Sequence, residues 1–66
     1  MRRATTPVSS AVYSVREFCE AHGISKAMYY KLKQRGETPR EMRIGRRTMI
    51  SIESAAAWRR SREQLS

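Results

Sequence analysis

The chain has 66 residues and carries 14 lysine and arginine residues against 6 acidic ones, for a net charge of +8. A chain of this length forms at most one domain with a thin core, which leaves no room for a scaffold and a catalytic cleft. We therefore expect no enzymatic activity. Eleven of the 14 cations are arginines, whose fork of donors suits phosphates and base edges. The composition favours a polyanionic partner, nucleic acid first, with an anionic membrane surface as the competing interpretation.

Cysteine and leader patterns narrow the class further. Cys19 is the only cysteine, which excludes a disulfide within the chain and a multi-cysteine zinc site, and favours a reducing, cytoplasmic compartment. No apolar stretch follows Met1-Arg2-Arg3, so neither a signal peptide nor a membrane span is expected. The sequence contains no catalytic Ser-His-Asp or Cys-His arrangement and no glycine-rich phosphate loop, so we predict no catalytic residues, metal ligands or cofactor. Residues 1–11 are predicted to be a flexible basic N-terminal arm, and residues 12–66 the folded domain.

The first helix is predicted after Ser14. Ser14 and Glu17 have the spacing of a capping box, and Gly23 stands where a left-handed residue ends a helix. Val12-Tyr13 could form a very short strand just before it. One face of this helix collects residues at helical spacing: Val15, Phe18, Cys19 and His22.

The second helix is predicted from Lys26 to about Arg35, with Ser25 as its N-cap and Gly36 as its stop. Its residues separate into two stripes at helical spacing. The predicted core stripe is Ser25, Met28, Tyr29 and Leu32. The predicted outer stripe is Ala27, Tyr30, Lys31 and Gln34.

A β-hairpin and a third helix complete the predicted fold. The predicted strands are 41–44 and 48–51, joined through Gly45. We expect Met42, Ile44 and Ile50 to share the inner face, and Arg43 to point outward beside Arg46 and Arg47. The third helix should open at Ser51 or Ile52 and run to about Arg62, with an apolar strip of Ile52, Ala56 and Trp58-Arg59. Trp58 is expected to anchor it on the core.

These elements predict an α+β, mostly α fold: a winged helix-turn-helix with two N-terminal helices, a two-stranded hairpin wing and a C-terminal helix. The Gly23-Ile24-Ser25 turn is typical of helix-turn-helix pairs, whose second helix enters the DNA major groove. The alternative for that pair is a plain helical hairpin with solvated lysines. The arginines of the hairpin suit the minor groove or nearby phosphates; the alternative is that they only keep a sheet edge from aggregating.

The same run resembles a known family. The segments Tyr13 to Phe18, Gly23 to Tyr30, Gly36-x-x-Pro39 and Arg43 to Arg47, in this order, resemble the AlpA-like and excisionase-type group of small MerR-related winged helix-turn-helix proteins. The resemblance covers about residues 12–62. It implies a DNA-binding protein of a phage, prophage or plasmid, nucleoid-associated in a bacterial cytoplasm, that directs recombination toward excision or regulates transcription of nearby genes.

By position, the resemblance implies these DNA contacts: Ser25, Lys26, Ala27, Tyr30 and Lys31 on the recognition helix, and Arg43, Arg46 and Arg47 on the wing. Four residues depart from the family pattern: Tyr29 stands where an aliphatic core residue is usual, and Thr38, Arg40 and Glu41 are polar where relatives are often apolar. A MerR-type effector domain and its dimerisation coiled coil are absent from the sequence, so no small-molecule ligand is expected.

The expected partner is double-stranded DNA, bound by a monomer that can sit side by side with other copies; an integrase, another recombinase or RNA polymerase is a candidate second partner. Two alternatives keep the fold: a plain transcriptional regulator and the DNA-binding piece of a terminase small subunit. A third alternative, from another class, is an adaptor whose basic face grips an integrase or a polymerase.

Overall fold

The structure is a computed structural model that describes residues 11–65. It is a small, mostly helical α+β domain with three helices and one three-stranded antiparallel sheet. The elements in chain order are β1 (Val12–Ser14), α1 (Val15–His22), α2 (Lys26–Gln34), β2 (Met42–Ile44), β3 (Arg47–Ser51) and α3 (Ile52–Leu65). The N-terminal arm predicted for residues 1–11 lies, apart from Ala11, outside the described residues.

Local capping chemistry sets the limits of α1, as predicted. The Ser14 hydroxyl accepts a hydrogen bond from the backbone N–H of Glu17 at 3.1 Å, and the Glu17 carboxylate accepts one from the backbone N–H of Ser14 at 2.9 Å. Gly23 ends the helix at φ +67°, a left-handed conformation that other residues rarely adopt. The N–H of Ile24 then bonds to the Cys19 carbonyl at 3.1 Å, which turns the chain sharply toward α2.

Helix α2 has the predicted caps at both ends. The Ser25 hydroxyl accepts from the backbone N–H of Met28 at 3.0 Å. The helix ends at Gln34, one residue before the predicted end. Beyond it, the N–H of Gly36 bonds to the Lys33 carbonyl at 3.0 Å and the next N–H bonds to the Leu32 carbonyl at 2.9 Å, the hydrogen-bond pattern of a Schellman stop.

Phe18 stands at the centre of the core and is fully buried. Its ring stacks on His22 with centroids 4.1 Å apart and meets the rings of Tyr29 and Trp58 edge-on at 5.9 and 5.2 Å. The buried cluster consists of Phe18, Cys19, Tyr29, Ile50 and Ala55, with Tyr13, Val15, Ile24 and Trp58 packed against it. The core of this small domain is therefore organised around the Phe18 ring.

Two core predictions were wrong. Met28, placed in the core stripe of α2, is 44% exposed, so only Tyr29 and Leu32 of that stripe are buried. In α3 the fully buried alanine is Ala55 rather than Ala56. Three adjacent alanines cannot indicate by themselves which one faces inward, because the answer depends on the angle at which α3 crosses the sheet.

The sheet differs from the predicted two-stranded hairpin. Strand β1 pairs antiparallel with β3, on the side opposite β2, to give the order β1-β3-β2. Two strands alone are marginal in water, so the third strand supports the hairpin. The hairpin strands begin and end within one residue of the prediction.

The register places several hairpin residues on the opposite face of the sheet from the one predicted. Opposed residues on antiparallel strands share a face, and Arg43 is opposed to Thr48 while Met42 is opposed to Met49. Ile50, two residues from Thr48, is fully buried. The core face of the sheet is therefore Tyr13, Arg43, Thr48 and Ile50, and the outer face is Val12, Ser14, Met42, Ile44, Arg47, Met49 and Ser51. Met42 and Ile44 do not share a face with Ile50, and Arg43 and Arg47 point to opposite sides.

Helix α3 closes the domain and runs three residues beyond the predicted end. The Ser51 hydroxyl caps it by accepting from the backbone N–H of Ser54 at 2.9 Å. Trp58 anchors it as predicted: its ring packs on Phe18, and its indole N–H donates to the Glu37 carbonyl at 2.7 Å. The Arg62 guanidinium lies 5.9 Å from the Trp58 ring centroid and 3.5 Å from the Glu37 carboxylate. Helix α3 is thereby tied to the segment that follows α2.

His22 links α1 to α3. Its Nδ1 lies 2.8 Å from the Phe18 carbonyl oxygen, and its Nε2 lies 2.9 Å from an Arg59 guanidinium nitrogen. A carbonyl can only accept and a guanidinium can only donate, so Nδ1 carries the proton and Nε2 accepts. His22 is thus a helix-end structural residue.

A buried polar contact joins α2 to the segment before the hairpin. The Tyr29 side chain is fully buried, and its hydroxyl donates a hydrogen bond to the Glu41 carboxylate. The same carboxylate lies 3.2 Å from the Lys33 ammonium. Burial, followed by this hydrogen bond and the negative charge of Glu41, raises the pKa of Tyr29. Tyr29 and Glu41 are therefore partners of one another.

Replacing Tyr29 with phenylalanine removes this hydrogen bond and keeps the ring. We expect Tyr29→Phe to lower the free energy of unfolding by about 2 kcal/mol, because the bond is to a charged acceptor at a buried site. Tyr13→Phe is the matched control, since the Tyr13 hydroxyl makes no hydrogen bond to any residue between 11 and 65. Urea unfolding followed by circular dichroism measures both variants. Equal loss in the two variants would contradict a structural role for the Tyr29 hydroxyl.

The same contact predicts a stability loss in alkali. A tyrosine in the unfolded chain titrates near pH 10, whereas the raised pKa keeps Tyr29 protonated in the folded state above that pH. The free energy of unfolding should therefore fall as pH rises above about 10, because only the unfolded chain releases the proton. Between pH 9 and pH 11 the wild type should lose about 1 kcal/mol more than Tyr29→Phe. Parallel pH curves for the two proteins would refute this linkage.

Candidate nucleic-acid interface

The outer stripe of α2, consisting of Ala27, Tyr30, Lys31 and Gln34, is exposed along its whole length. Ser25 and Lys26, at the start of the helix, are exposed as well. Because all four stripe residues are exposed, no described element covers the stripe. All five helix residues that the sequence analysis selected are therefore accessible to a partner.

The N-terminus of α2 is suited to an anion. The Ser25 hydroxyl is occupied by the N–H of Met28, but the N–H groups of Lys26 and Ala27 have no acceptor within the helix, as is general for first-turn donors. The first turn contains no acidic residue, so the positive end of the helix dipole is not neutralised there. A phosphate oxygen at this end would meet backbone N–H groups and the Lys26 side chain together.

The three lysines of α2 have different roles. Lys33 is held at 3.2 Å from Glu41 and belongs to the contact that joins α2 to the hairpin. Lys26 and Lys31 make no ion pair with any residue of the described range 11–65, and both are exposed. These two ammonium groups are the ones available to an external anion.

Tyr30 presents an ordered aromatic ring to solvent. It is 48% exposed, and its ring stands edge-on to the buried Tyr29 ring, with centroids 5.6 Å apart and planes at 88°. This contact limits the positions of the Tyr30 ring. Its hydroxyl has no hydrogen-bond partner among the described residues, so ring and hydroxyl are both accessible.

The hairpin end carries three exposed arginines. Gly45, at φ +62°, and Arg46 form a two-residue loop between the opposed pair Ile44 and Arg47. Arg43 lies on the core face of the sheet, beyond the buried core, and Arg47 lies on the outer face. None of the three guanidiniums is ion-paired within the described part of the chain. The arginines therefore surround the hairpin end on both sides and do not form the single outward row that the sequence analysis expected.

The hairpin and α2 meet at a shared groove. Its walls are formed by Lys33, Glu41, Met42, Arg43 and Thr48. Lys33 comes from the last turn of α2, and Arg43 comes from β2, so the core-face side of the hairpin adjoins the C-terminal end of α2. The positive residues of the two elements are neighbours at this point of the surface.

Few acidic residues lie near these cations. Helix α2 and both hairpin strands contain none of the six glutamates. Four of the six have structural partners: Glu17 in the capping box, Glu20 with Arg16 at 3.3 Å, Glu37 with Arg62, and Glu41 with Tyr29 and Lys33. Glu41 is the acidic residue in the groove between α2 and the hairpin, and the surface of the two elements is otherwise positive.

Sequence reasoning missed some of this surface. Arg35 and Arg40 are exposed and form no ion pair inside the range 11–65, and they extend the positive charge beyond the end of α2. The signal for Arg35 was the lack of acidic residues between Ser25 and Gly36. Ile44 was assigned to the core, yet it is 54% exposed on the outer face. The strand register decides which face Ile44 occupies. It cannot be predicted from the sequence here, because the adjacent residues Met49 and Ile50 are both apolar and point to opposite faces of β3.

Other kinds of site find little support in residues 11–65. No group of three or more His, Cys, Asp or Glu side chains comes together there in a way that could hold a metal ion. Cys19 is buried, and burial raises the pKa of its thiol. Among the described helices, none has the length and apolar character needed to cross a membrane.

Comparisons of the chain with known protein families, with characterised proteins and with solved structures found no match.

Proposed function

We propose that this protein binds double-stranded DNA as a winged helix-turn-helix module, with α2 in the major groove and the β2–β3 hairpin as the wing. The single observation that carries the proposal is the positive surface of α2 and the hairpin. The exposed cations Lys26, Lys31, Arg43, Arg46 and Arg47 form no ion pair with any residue from 11 to 65, and neither element contains an acidic residue. Unpaired cations cost little in water and neutralise phosphates on binding, with release of counterions.

In this proposal α2 both positions the protein and reads sequence. The helix N-terminus, through Ser25 and Lys26, takes a backbone phosphate. Ala27 and Tyr30 present a methyl group and an aromatic ring to thymine methyls, and Lys31 reaches the acceptors of guanine. The ring contact between Tyr30 and the buried Tyr29 supports this reading, because an ordered side chain loses less entropy on binding.

The wing also contacts the DNA, but it contributes less to sequence recognition than α2 does. Arg46 at the loop and Arg47 beside it enter or flank the minor groove, whose negative potential attracts arginine. Arg43, on the side of the hairpin near Lys33, takes a phosphate between the two elements. Strand β1 supports the proposal, because a third strand holds the hairpin in one direction.

The biological role proposed is that of an excisionase or an AlpA-like transcription regulator of a mobile element, acting without a catalytic step of its own. It rests on the resemblance described above and on the proposed DNA binding together. A second candidate, the adaptor that grips an integrase or polymerase through its basic face, uses the same cations and is separated from DNA binding by experiment.

Truncating the α2 contacts should abolish DNA binding. We expect Lys26→Ala/Tyr30→Ala/Lys31→Ala to weaken affinity at least 100-fold for a duplex selected from a random pool by the wild type, because two phosphate or base contacts and one aromatic contact are lost together. Fluorescence anisotropy measures the affinity, and circular dichroism checks the fold.

The matched control is Arg16→Ala/Arg60→Ala, which also removes two positive charges but from exposed positions on α1 and α3. It should weaken binding only a few-fold. Similar losses in both variants would mean that only net charge matters. Wild-type binding to an integrase or polymerase without any duplex binding would favour the adaptor.

Salt dependence gives a separate prediction. With about six phosphates contacted, the logarithm of the association constant should fall against the logarithm of salt concentration with a slope of about −5. Removing Arg47 should make the slope shallower by about 1. A wild-type slope near zero on duplex DNA is incompatible with the proposed function.

A further inference from the structure

Strand β2 has its polar side chain on the core face and its apolar side chains on the outer face, the reverse of the usual arrangement. Antiparallel sheets with one covered face place apolar residues inward and polar residues outward. In β2 the register places Arg43 on the core face and Met42 and Ile44 on the outer face. Met49 of β3 is opposed to Met42 and continues the apolar strip of Met42, Ile44 and Met49.

Ile44 is the most exposed large apolar residue of the described chain. Its exposed fraction is 54%, against 37% for Met42 in the same strip. It is the last residue of β2, directly before the two-residue loop, and is opposed to Arg47 on the same face. An apolar side chain thus stands at the hairpin end with Arg46 and Arg47 beside it.

Folding does not require an apolar residue at this position. Ile44 takes no part in the core cluster, which the sheet enters through Ile50 from its other face. A threonine would serve the strand equally well, because β-branched residues of either polarity fit a pleated surface. Its exposure in water is unfavourable in the free protein. A partner surface that covers Ile44 accounts for its position.

We propose that Ile44 is an apolar wedge, inserted from the wing into the minor groove against the edge of a base step and bending the DNA toward its major groove. The inference rests on the proposed DNA binding. Minor-groove proteins that bend DNA use an aliphatic side chain in this way, flanked by cations that hold the phosphates on either side. Here Arg46 and Arg47 occupy the flanking positions, and the bend widens a groove that would otherwise exclude the hairpin.

The surrounding charge selects DNA over a second copy of this chain. A symmetric contact through the outer face would place the Arg46 and Arg47 side chains of two copies close together, where like charges repel. No glutamate lies on either hairpin strand to compensate them. Duplex DNA offers phosphates to the arginines and the apolar surface of stacked bases to Ile44.

The test compares Ile44→Thr with Met42→Thr, which makes a similar change in the same strip farther from the loop. Circular-permutation electrophoresis measures the bend, and anisotropy measures affinity on the duplex selected by the wild type. We expect Ile44→Thr to lose most of the bend and about tenfold in affinity, as fits loss of one buried aliphatic side chain, with an unchanged salt slope. Met42→Thr should stay close to the wild type, and Ile44→Leu should keep the bend.

Several outcomes would overturn the wedge. Equal bending by the wild type and Ile44→Thr would do so while leaving the proposed function intact, as would equal effects of Ile44→Thr and Met42→Thr. A shallower salt slope for Ile44→Thr would show that the change only misdirects the arginines. A wild-type dimer in sedimentation that Ile44→Thr dissociates would assign the strip to a second copy. Absence of duplex binding by the wild type would instead remove the proposed function, and the wedge with it.

Discussion

The hydrogen bond from the buried Tyr29 hydroxyl to the Glu41 carboxylate is the contact on which the geometry of this domain depends. Tyr29 belongs to α2, and Glu41 directly precedes β2, so one polar contact fixes the direction of the hairpin relative to the helix. Lys33 balances the charge of the same carboxylate from the next turn of α2. A buried polar group without a partner is costly, so this pair selects one arrangement of the two elements and disfavours alternatives.

The structural roles of the glutamates also explain the charge distribution. Three of the six glutamates form caps or link elements: Glu17 at the start of α1, Glu37 with α3, and Glu41 with α2. Apart from Lys33, which pairs with Glu41, the cations of α2 and the hairpin consequently have no ion-pair partner among residues 11–65. The positive surface is thus a consequence of how the fold uses its acids as well as of the net charge of +8. This surface, the arginines at the hairpin end and the exposed Ile44 are what support the proposed DNA binding.

Tyr29 and Glu41 satisfy one another. A tyrosine alone at position 29 would leave a buried hydroxyl unsatisfied, and a glutamate alone at position 41 would leave a half-buried carboxylate without this donor. Each supplies what the other needs. The pair is not expected from a local sequence pattern, because the two positions are twelve residues apart and in different parts of the fold. The indole N–H of Trp58 likewise finds its hydrogen-bond acceptor far away in the chain, at the Glu37 carbonyl.

Contacts between groups close together in the chain could be predicted from the amino-acid sequence. The capping box at Ser14, the left-handed stops at Gly23 and Gly36, the Ser25 cap and the turn at Gly45 were all predictable, because each involves groups within a few residues of one another. The exposure of the outer stripe of α2 followed from helical spacing. The short strand considered at Val12-Tyr13 is present as β1, but its pairing with β3, the partner of Tyr29, the burial of Ala55 and the side of the sheet on which Arg43 and Ile44 lie depend on the tertiary structure. The physical reason is the two-residue period of a strand: with apolar residues at Met49 and at Ile50, local sequence allows either face to point inward, and pairing with β1 and packing on Phe18 choose between them.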